Sequence, residues 1–390
     1  MGWIHHWYQV VRREVRIMRS RPIYLLGSVG VMAVSALFFI TFFGEGLPQK
    51  LRVGVVDLDQ SSTSRNFRQQ LDATQMGRVV EFSSVSEAAR ELETGRINGY
   101  VVIPHYFDRE VQSFHSPKMQ VYVNTMYPVI GGSLAYKDIL FMINLTNGAV
   151  QRQVLRAKGV PDGEIMARIQ PLSIDAHAVG NGPTNYAYYL VNMILMGLLA
   201  MCVTLITAYS VGAELKYGTS KHLLETADGS IVVGILGKMA PYTLLFSVIG
   251  IVLQLLLYGP LHYPMNGSMG WLILSTLVFI LACQAVGVFI VSMVPTLRLG
   301  VCISALYSVL GFSFAGFTLP ISSLPSALQG MSVIFPLRFY YQLYVREVLY
   351  GTGFAGWWIY LVLMLLFLFL PLVGAIRLRN AYQYQNYPRN

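Results

Sequence analysis

The stretch WLILSTLVFILACQAVGVFIVSM, Trp271 to Met293, decides the fold, because it holds neither a charge nor a proline. It is longer than the ~20 apolar residues a helix needs to cross a ~30 Å hydrocarbon core. Runs of similar character fall at 22–43, 186–210, 239–259, 299–318 and 356–376, so six spans are expected. Of the 390 residues 54% are hydrophobic and only 12% charged, with a mean hydropathy of +0.52. Soluble domains carry about 25% charged residues, so a soluble globular protein is excluded. The run from Pro22 to Phe43 is too long for the ~7–15 residue core of a cleaved signal peptide and reads as a retained anchor. Before it, Trp3, Trp7, Val10, Val11, Val15 and Met18 recur at helical spacing, with Arg12, Arg13, Arg16 and Arg19 on other faces. Residues 1–21 are therefore expected to form an interfacial amphipathic helix on the membrane lipid.

The net charge of +9 does not point to nucleic acid, which calls for basic residues and stacking aromatics on one soluble face. The cations instead sort by side of the membrane. Arg12, Arg13, Arg16, Arg19, Arg21, Lys216, Lys221, Lys238, Arg298, Arg377, Arg379 and Arg389 fall in the N-terminal segment, the loop 211–238, the turn before 299 and the tail 377–390. The opposite short segments hold only Arg338 and Arg346. Cytoplasmic segments accumulate Lys and Arg, so both termini are expected in the cytoplasm and residues 44–185 outside.

That outer segment alternates strand and helix signals. Leu51–Val56, Val79–Phe82, Gly99–Ile103 and Met119–Asn124 read as strands; helices are expected over Ser61–Leu71, from Ser84 to near Gly95, over about Gly132–Lys158 and from Pro161. Ser84 and Glu87 have capping-box spacing. The expected fold class is a polytopic α-helical membrane protein of six transmembrane helices, with an α/β extracytoplasmic domain inserted between the first two. Cys202, Cys283 and Cys302 all lie in apolar runs, so the polar domain has no thiol for a disulfide.

No catalytic or metal-binding pattern stands up. Asp57-Leu58-Asp59 resembles a phosphatase nucleophile loop, but such an enzyme needs a downstream acidic pair, and none follows in this domain; capping of a strand end is the better reading. Gly234-Ile-Leu-Gly237-Lys238-Met239 lacks the spacing and the hydroxyl of a phosphate-binding loop. His5 and His6 are adjacent, so on a helix their side chains diverge. The sequons at Asn144 and Asn266 carry no further information.

Two stretches are more telling. Glu214-Leu-Lys-Tyr-Gly218-Thr219-Ser-Lys-His-Leu223-Leu224-Glu-Thr226-Ala227 lies in the cytoplasmic loop 211–238 and reads as a short amphipathic helix parallel to the membrane, of a kind that presses into a partner's groove; its plainer reading is a connecting loop. Residues 319–346, following Gly316-Phe317-Thr318, carry Pro320, Pro325, Pro336 and Arg338 among aromatic residues. They lack room for two further spans and read as a re-entrant hairpin at the outer face, suited to a gate. Within the spans, Asn192, Tyr242, Gln254, Gln284 and Tyr307 are candidates for a polar pathway or for bonds across helices.

Together these features resemble the membrane subunits of ABC exporters, the type-2 permeases. An acid, Gly-Thr, then Leu-Leu-x-Thr matches Glu214, Gly218, Thr219, Leu223, Leu224 and Thr226, with Ala227 where the family has proline. The later pattern matches Gly316, Phe317, Pro320, Pro325, Pro336 and Leu337. The outer domain, with Val-Asp57-x-Asp59-x-Ser61 and Gly99-Tyr-Val-Val-Ile-Pro104, resembles the subgroup linked to efflux of small molecules. The resemblance implies a bacterial inner-membrane permease without an ATPase site of its own. ATP and Mg would belong to a separate cytoplasmic ABC ATPase subunit, and 214–227 would carry its closure to the spans. A second permease copy or a sibling would complete the pathway, and a periplasmic adaptor and outer-membrane channel are further partners to consider. Two alternatives are an ABC-coupled mechanotransmitter acting on envelope partners, and a membrane-anchored ligand sensor or scaffold.

Overall fold

A computed structural model describes residues 2–44, 51–73, 77–113, 117–124, 132–169, 185 and 187–384. The chain separates into two compact units, Leu47–His177 and the remainder, Met1–Gly46 with Ala178–Asn390. Most of the return stretch 180–185 lies outside the described residues.

The chain opens with the amphipathic helix α1 (Gly2–Ser20) and the apolar helix α2 (Pro22–Phe42), started by Pro22 in its first turn and interrupted by a π turn at Leu26–Gly30. The smaller unit then runs β1 (Leu51–Asp57), α3 (Ser62–Asp72), β2 (Gly77–Glu81), α4 (Val85–Glu93), β3 (Gly99–Ile103), α5 (Phe107–Gln112), β4 (Gln120–Val123), α6 (Gly132–Ala157) and α7 (Asp162–Ile169). The sheet order is β2-β1-β3-β4, with β1 parallel to β2 and β3, and β4 antiparallel at the edge. Four consecutive buried residues of β1, Val53 to Val56, reflect a sheet covered on both faces. Val53, Val55, Val101 and Ile103 pack with Phe67, Leu71, Phe107 and Ile139 on one side, and Val56 and Val102 with Ala88 and Ile97 on the other. The strands and helices match the sequence reading to within a few residues, with α5 additional. Ser84 caps α4 by accepting from the Glu87 amide at 3.2 Å, while Glu87 reaches back to Ser83 rather than to Ser84.

The larger unit continues with α8 (Asn192–Lys216), α9 (Ser220–Thr226), α10 (Ile231–Tyr258), α11 (Met269–Met293), α12 (Leu297–Ser313), α13 (Ser326–Met331), α14 (Pro336–Tyr344) and α15 (Phe354–Tyr384). Among the described residues five helices, α2, α8, α10, α11 and α15, are long and apolar enough to cross a membrane, and α12 is a shorter apolar helix. The protein is thus a mostly helical polytopic membrane protein. Helices α8 and α11 are the most enclosed, whereas α2 and α15 turn most of their apolar surface outward, as lipid-facing helices do. Helix α8 extends past Ser210 to Lys216 and α15 past Ile376 to Tyr384. Glu214 consequently sits in the last turn of a long helix.

Candidate functional site

The turn out of α8 is built by its sequence. Gly218 has φ +66°, a left-handed conformation that glycine adopts without Cβ strain. The Thr219 amide donates to the Glu214 carbonyl (3.0 Å) and the Gly218 amide to the Leu215 carbonyl (3.3 Å), which is the Schellman closure of a helix C-terminus. Helix α9 starts immediately afterwards and repeats the device: Gly229 donates to Leu224 (2.8 Å) and Asp228 to Glu225 (3.2 Å). Ala227 also donates its amide to the carbonyls of Leu223 (3.0 Å) and Leu224 (3.1 Å), a contact that proline, lacking the N–H, could not make. One face of α9 is buried through Ser220, Leu223 and Leu224, with Ala227 just beyond it, and the other exposes Lys221, His222 and Glu225.

Above this short helix lies a buried ionic cluster. Glu214, 2% exposed, accepts a bidentate pair from Arg13 at 2.9 and 2.8 Å, a bond from Lys238 Nζ at 2.7 Å and one from Thr219 Oγ1 at 2.5 Å. Glu14, fully buried, accepts from Lys238 Nζ (2.8 Å), Tyr242 Oη (2.7 Å) and Ser210 Oγ (3.1 Å). Two cations and two carboxylates thus balance, which is what permits charges at this depth. Burial by itself would lower the Arg13 guanidinium, but the hydrogen bond to Glu214 and the charges of Glu214 and Glu14 outweigh it and hold it above its ordinary value. Its positive charge is therefore fixed at any physiological pH.

The cluster joins segments far apart in sequence. Helix α1 approaches α10 closely at Gly237, where a Cβ would stand 2.9 Å from Val10 and 3.1 Å from the Trp7 carbonyl. His6 Nδ1 reaches the Thr226 carbonyl at the end of α9 (3.2 Å), the Arg21 guanidinium covers the Tyr217 ring at 4.3 Å, and Ser220 Oγ donates to the Tyr382 carbonyl on α15 (3.0 Å). Tyr382 in turn donates to the Val211 carbonyl (2.9 Å). Helix α9 is thus tied by directional bonds to α1 and α15 and, through Thr219 and Glu214 at its root, to α8 and α10. Thr226 itself is spent on its own helix, Oγ1 to the His222 carbonyl (2.8 Å).

The polar span residues go to several places. Tyr242 belongs to the ionic cluster. Asn192 and Gln254, both fully buried, bond each other (3.3 Å) and join a tyrosine network: Gln254 to Tyr340 (2.9 Å), Asn192 to Tyr258 (3.3 Å), Tyr258 to Tyr344 (3.1 Å). Gln284 accepts from Thr243 (2.7 Å), and Tyr307 donates to the Ile334 carbonyl (2.5 Å). Residues 319–346 fold as a 3-10 turn (Ile321–Ser323) followed by the short helices α13 and α14, joined by a second 3-10 turn (Ser332–Ile334). Pro325 caps α13, Pro336 occupies the first turn of α14, and Arg338 binds the Gln329 carbonyl (3.1 Å) and Ser332 Oγ. Pro320 accepts from the Ser323 amide (3.0 Å), and Phe317 sits edge-on to Tyr341. Glu347, 1% exposed, bonds Trp357 (2.5 Å) and the Ser268 amide (2.7 Å); it was not among the residues singled out in the sequence.

Asp57 and Asp59 close the strand end as expected, Asp57 accepting from the amides of Asp59 (3.1 Å) and Gln60 (2.9 Å) and from Ser64 Oγ (2.7 Å). Among the described residues no group of three or more His, Cys, Asp or Glu is placed to hold a metal.

The described residues thus give a polytopic helical bundle with a buried ionic cluster at the C-terminus of α8. Residues 22–377 match the ABC-2 family transporter proteins, and the chain belongs to that family. It is 24% identical over 311 residues to the inner membrane transport permease YhhJ of Escherichia coli (strain K12), spanning 78% of this chain and 79% of the relative, and equally so to its Shigella flexneri counterpart.

Proposed function

We propose that this chain is the permease subunit of an ATP-driven exporter, with α9 as the helix that engages a separate cytoplasmic ABC ATPase. The observation that carries the reading is the junction of α9 to the bundle: one face buried, the other charged and exposed, its root locked by Glu214 into the cluster with Arg13, Glu14 and Lys238. Such a helix cannot move without moving the spans. In this reading α12 counts as the sixth span, both termini are cytoplasmic, and the sheet-bearing unit is periplasmic. A second copy or a sibling permease completes the pathway, an amphipathic or hydrophobic compound is moved outward, and ATP and Mg are held by the partner. An adaptor and an outer-membrane channel would extend the route.

Co-expression with the genomically adjacent ATPase, followed by co-purification and vanadate-sensitive hydrolysis in nanodiscs, tests this. The double charge reversal Lys221→Glu with Glu225→Lys alters only the exposed face of α9 and should abolish the complex while the permease stays folded. Wild-type permease that neither binds the ATPase nor changes its turnover would favour the sensor or scaffold alternative.

A further inference from the structure

A second feature of the bundle is neutral. Between α10, α11 and α15 lies a cavity of about 220 Å³ whose lining holds no charged side chain and whose only polar side chains are Thr243 and Gln284. Gln284 is 4% exposed. The Thr243 hydroxyl, 2.7 Å from Gln284 Oε1 and 3.0 Å from the Met239 carbonyl, has one proton for the two, and with that proton on Oε1 the Gln284 Nε2 has no hydrogen-bond partner among the described residues. A buried amide N–H in apolar surroundings is costly when unmet, and here it belongs to a side chain of the cavity wall. The outer rim of the cavity, Val232, Leu236 and Leu372, is exposed, so entry is sideways, from the hydrocarbon.

We propose that this groove is a lateral binding site for an uncharged apolar molecule carrying a hydrogen-bond acceptor inside its apolar body, a ketone, ether or amide oxygen, which Gln284 Nε2 meets. Depth selects this occupant over a membrane phospholipid. Gln284 stands nine residues before Met293 at the end of α11, about 14 Å along the axis at ~1.5 Å per residue. That is near mid-depth of a ~30 Å core, out of reach of lipid ester groups at the interface. The groove also shares α10 with the ionic cluster. Lys238 and Tyr242 bond the cluster while the next residues, Met239 and Thr243, line the groove, so occupancy bears on the helix that carries Lys238. The inference deepens the transport reading by naming a cargo class and an entry point, and rests on it for the direction of travel.

Benzophenone is a suitable probe, being an uncharged diaryl ketone that inserts into nearby C–H bonds on illumination. With the permease alone in nanodiscs, an alkyne-tagged benzophenone should label Met239 or its groove neighbours saturably. Untagged benzophenone should compete, and diphenylmethane, of the same shape without the acceptor, should compete roughly three- to tenfold less well. Gln284→Leu should weaken labelling by a similar factor and erase the difference between the two competitors. Ala375→Phe, which places a ring in the groove, should abolish labelling, and monodisperse elution of each variant establishes that it is folded. Labelling that never saturates, or that is equal in wild type, Gln284→Leu and Ala375→Phe, would overturn the proposal and leave a crease filled by lipid. Because no ATPase is present, that failure would leave the permease assignment untouched, and loss of ATPase coupling would leave the binding result standing.

Discussion

The bundle contains two buried polar clusters that are put together in opposite ways. The one at the α1–α8–α10 junction is ionic, and each carboxylate has at least three donors. The one around Asn192, Gln254, Tyr258, Tyr340 and Tyr344 is neutral, and Gln254 Oε1 is left without a partner among the described residues. Buried charges tolerate one geometry, since losing a partner strands an ion. Neutral bonds between membrane helices average only about 0.6 kcal/mol each and can be exchanged cheaply. The first cluster suits a joint that transmits motion as a rigid unit, the second a place where helices change partners.

Lys238→Met should show the contrast most strongly. It leaves Glu14 and Glu214 with Arg13 as the one remaining cation of the cluster, and a loss of about 3–5 kcal/mol is expected, read as a fall in folded yield and in the unfolding midpoint in nanodiscs. Combining it with Glu14→Leu removes one charge of each sign and should recover most of that loss, a non-additivity measurable in a double-mutant cycle. Tyr258→Phe comes next: it removes two neutral bonds, the one from Asn192 and the one to Tyr344, and should cost no more than about 1.2 kcal/mol. Gly218→Ala follows, at about 1 kcal/mol, because a Cβ is strained at φ +66° although nothing stands within 4 Å of it. If Tyr258→Phe proved as damaging as Lys238→Met, the two clusters would not differ in kind.

The two clusters were not equally legible in the sequence. Apolar length announces the spans, and β-branched runs with capping residues announce the strands and helices of the smaller unit, because those signals are local. Glu214, Gly218 and Thr219 were visible through their order and spacing, and the structure adds why: helix end, left-handed turn and side-chain bond are consecutive steps in one turn of chain. Arg13, Glu14 and Lys238 were not. The sequence places Arg13 and Lys238 among the cations of cytoplasmic segments, whereas Lys238 is 1% exposed and both are paired with carboxylates. One local clue existed, since Glu14 is the single acid among the basic residues of the N-terminal helix. Its partners lie some two hundred positions away, and only the packing of α1 across Gly237 brings them together. Likewise, the polar span residues form one list in sequence, while in space they divide among the ionic joint, the tyrosine network, the groove and the hairpin.

The most direct test is a double-mutant cycle on Arg13 and Glu214, read as the permease-dependent change in ATP turnover of the assembled complex in nanodiscs. Arg13→Met and Glu214→Met should each leave the complex assembled but suppress that change, and the double variant should be no worse than the more damaging single one, because the pair acts as one joint. Wild-type turnover responses in both single variants, with the complex intact, would contradict the assignment of this cluster as the link between α9 and the spans.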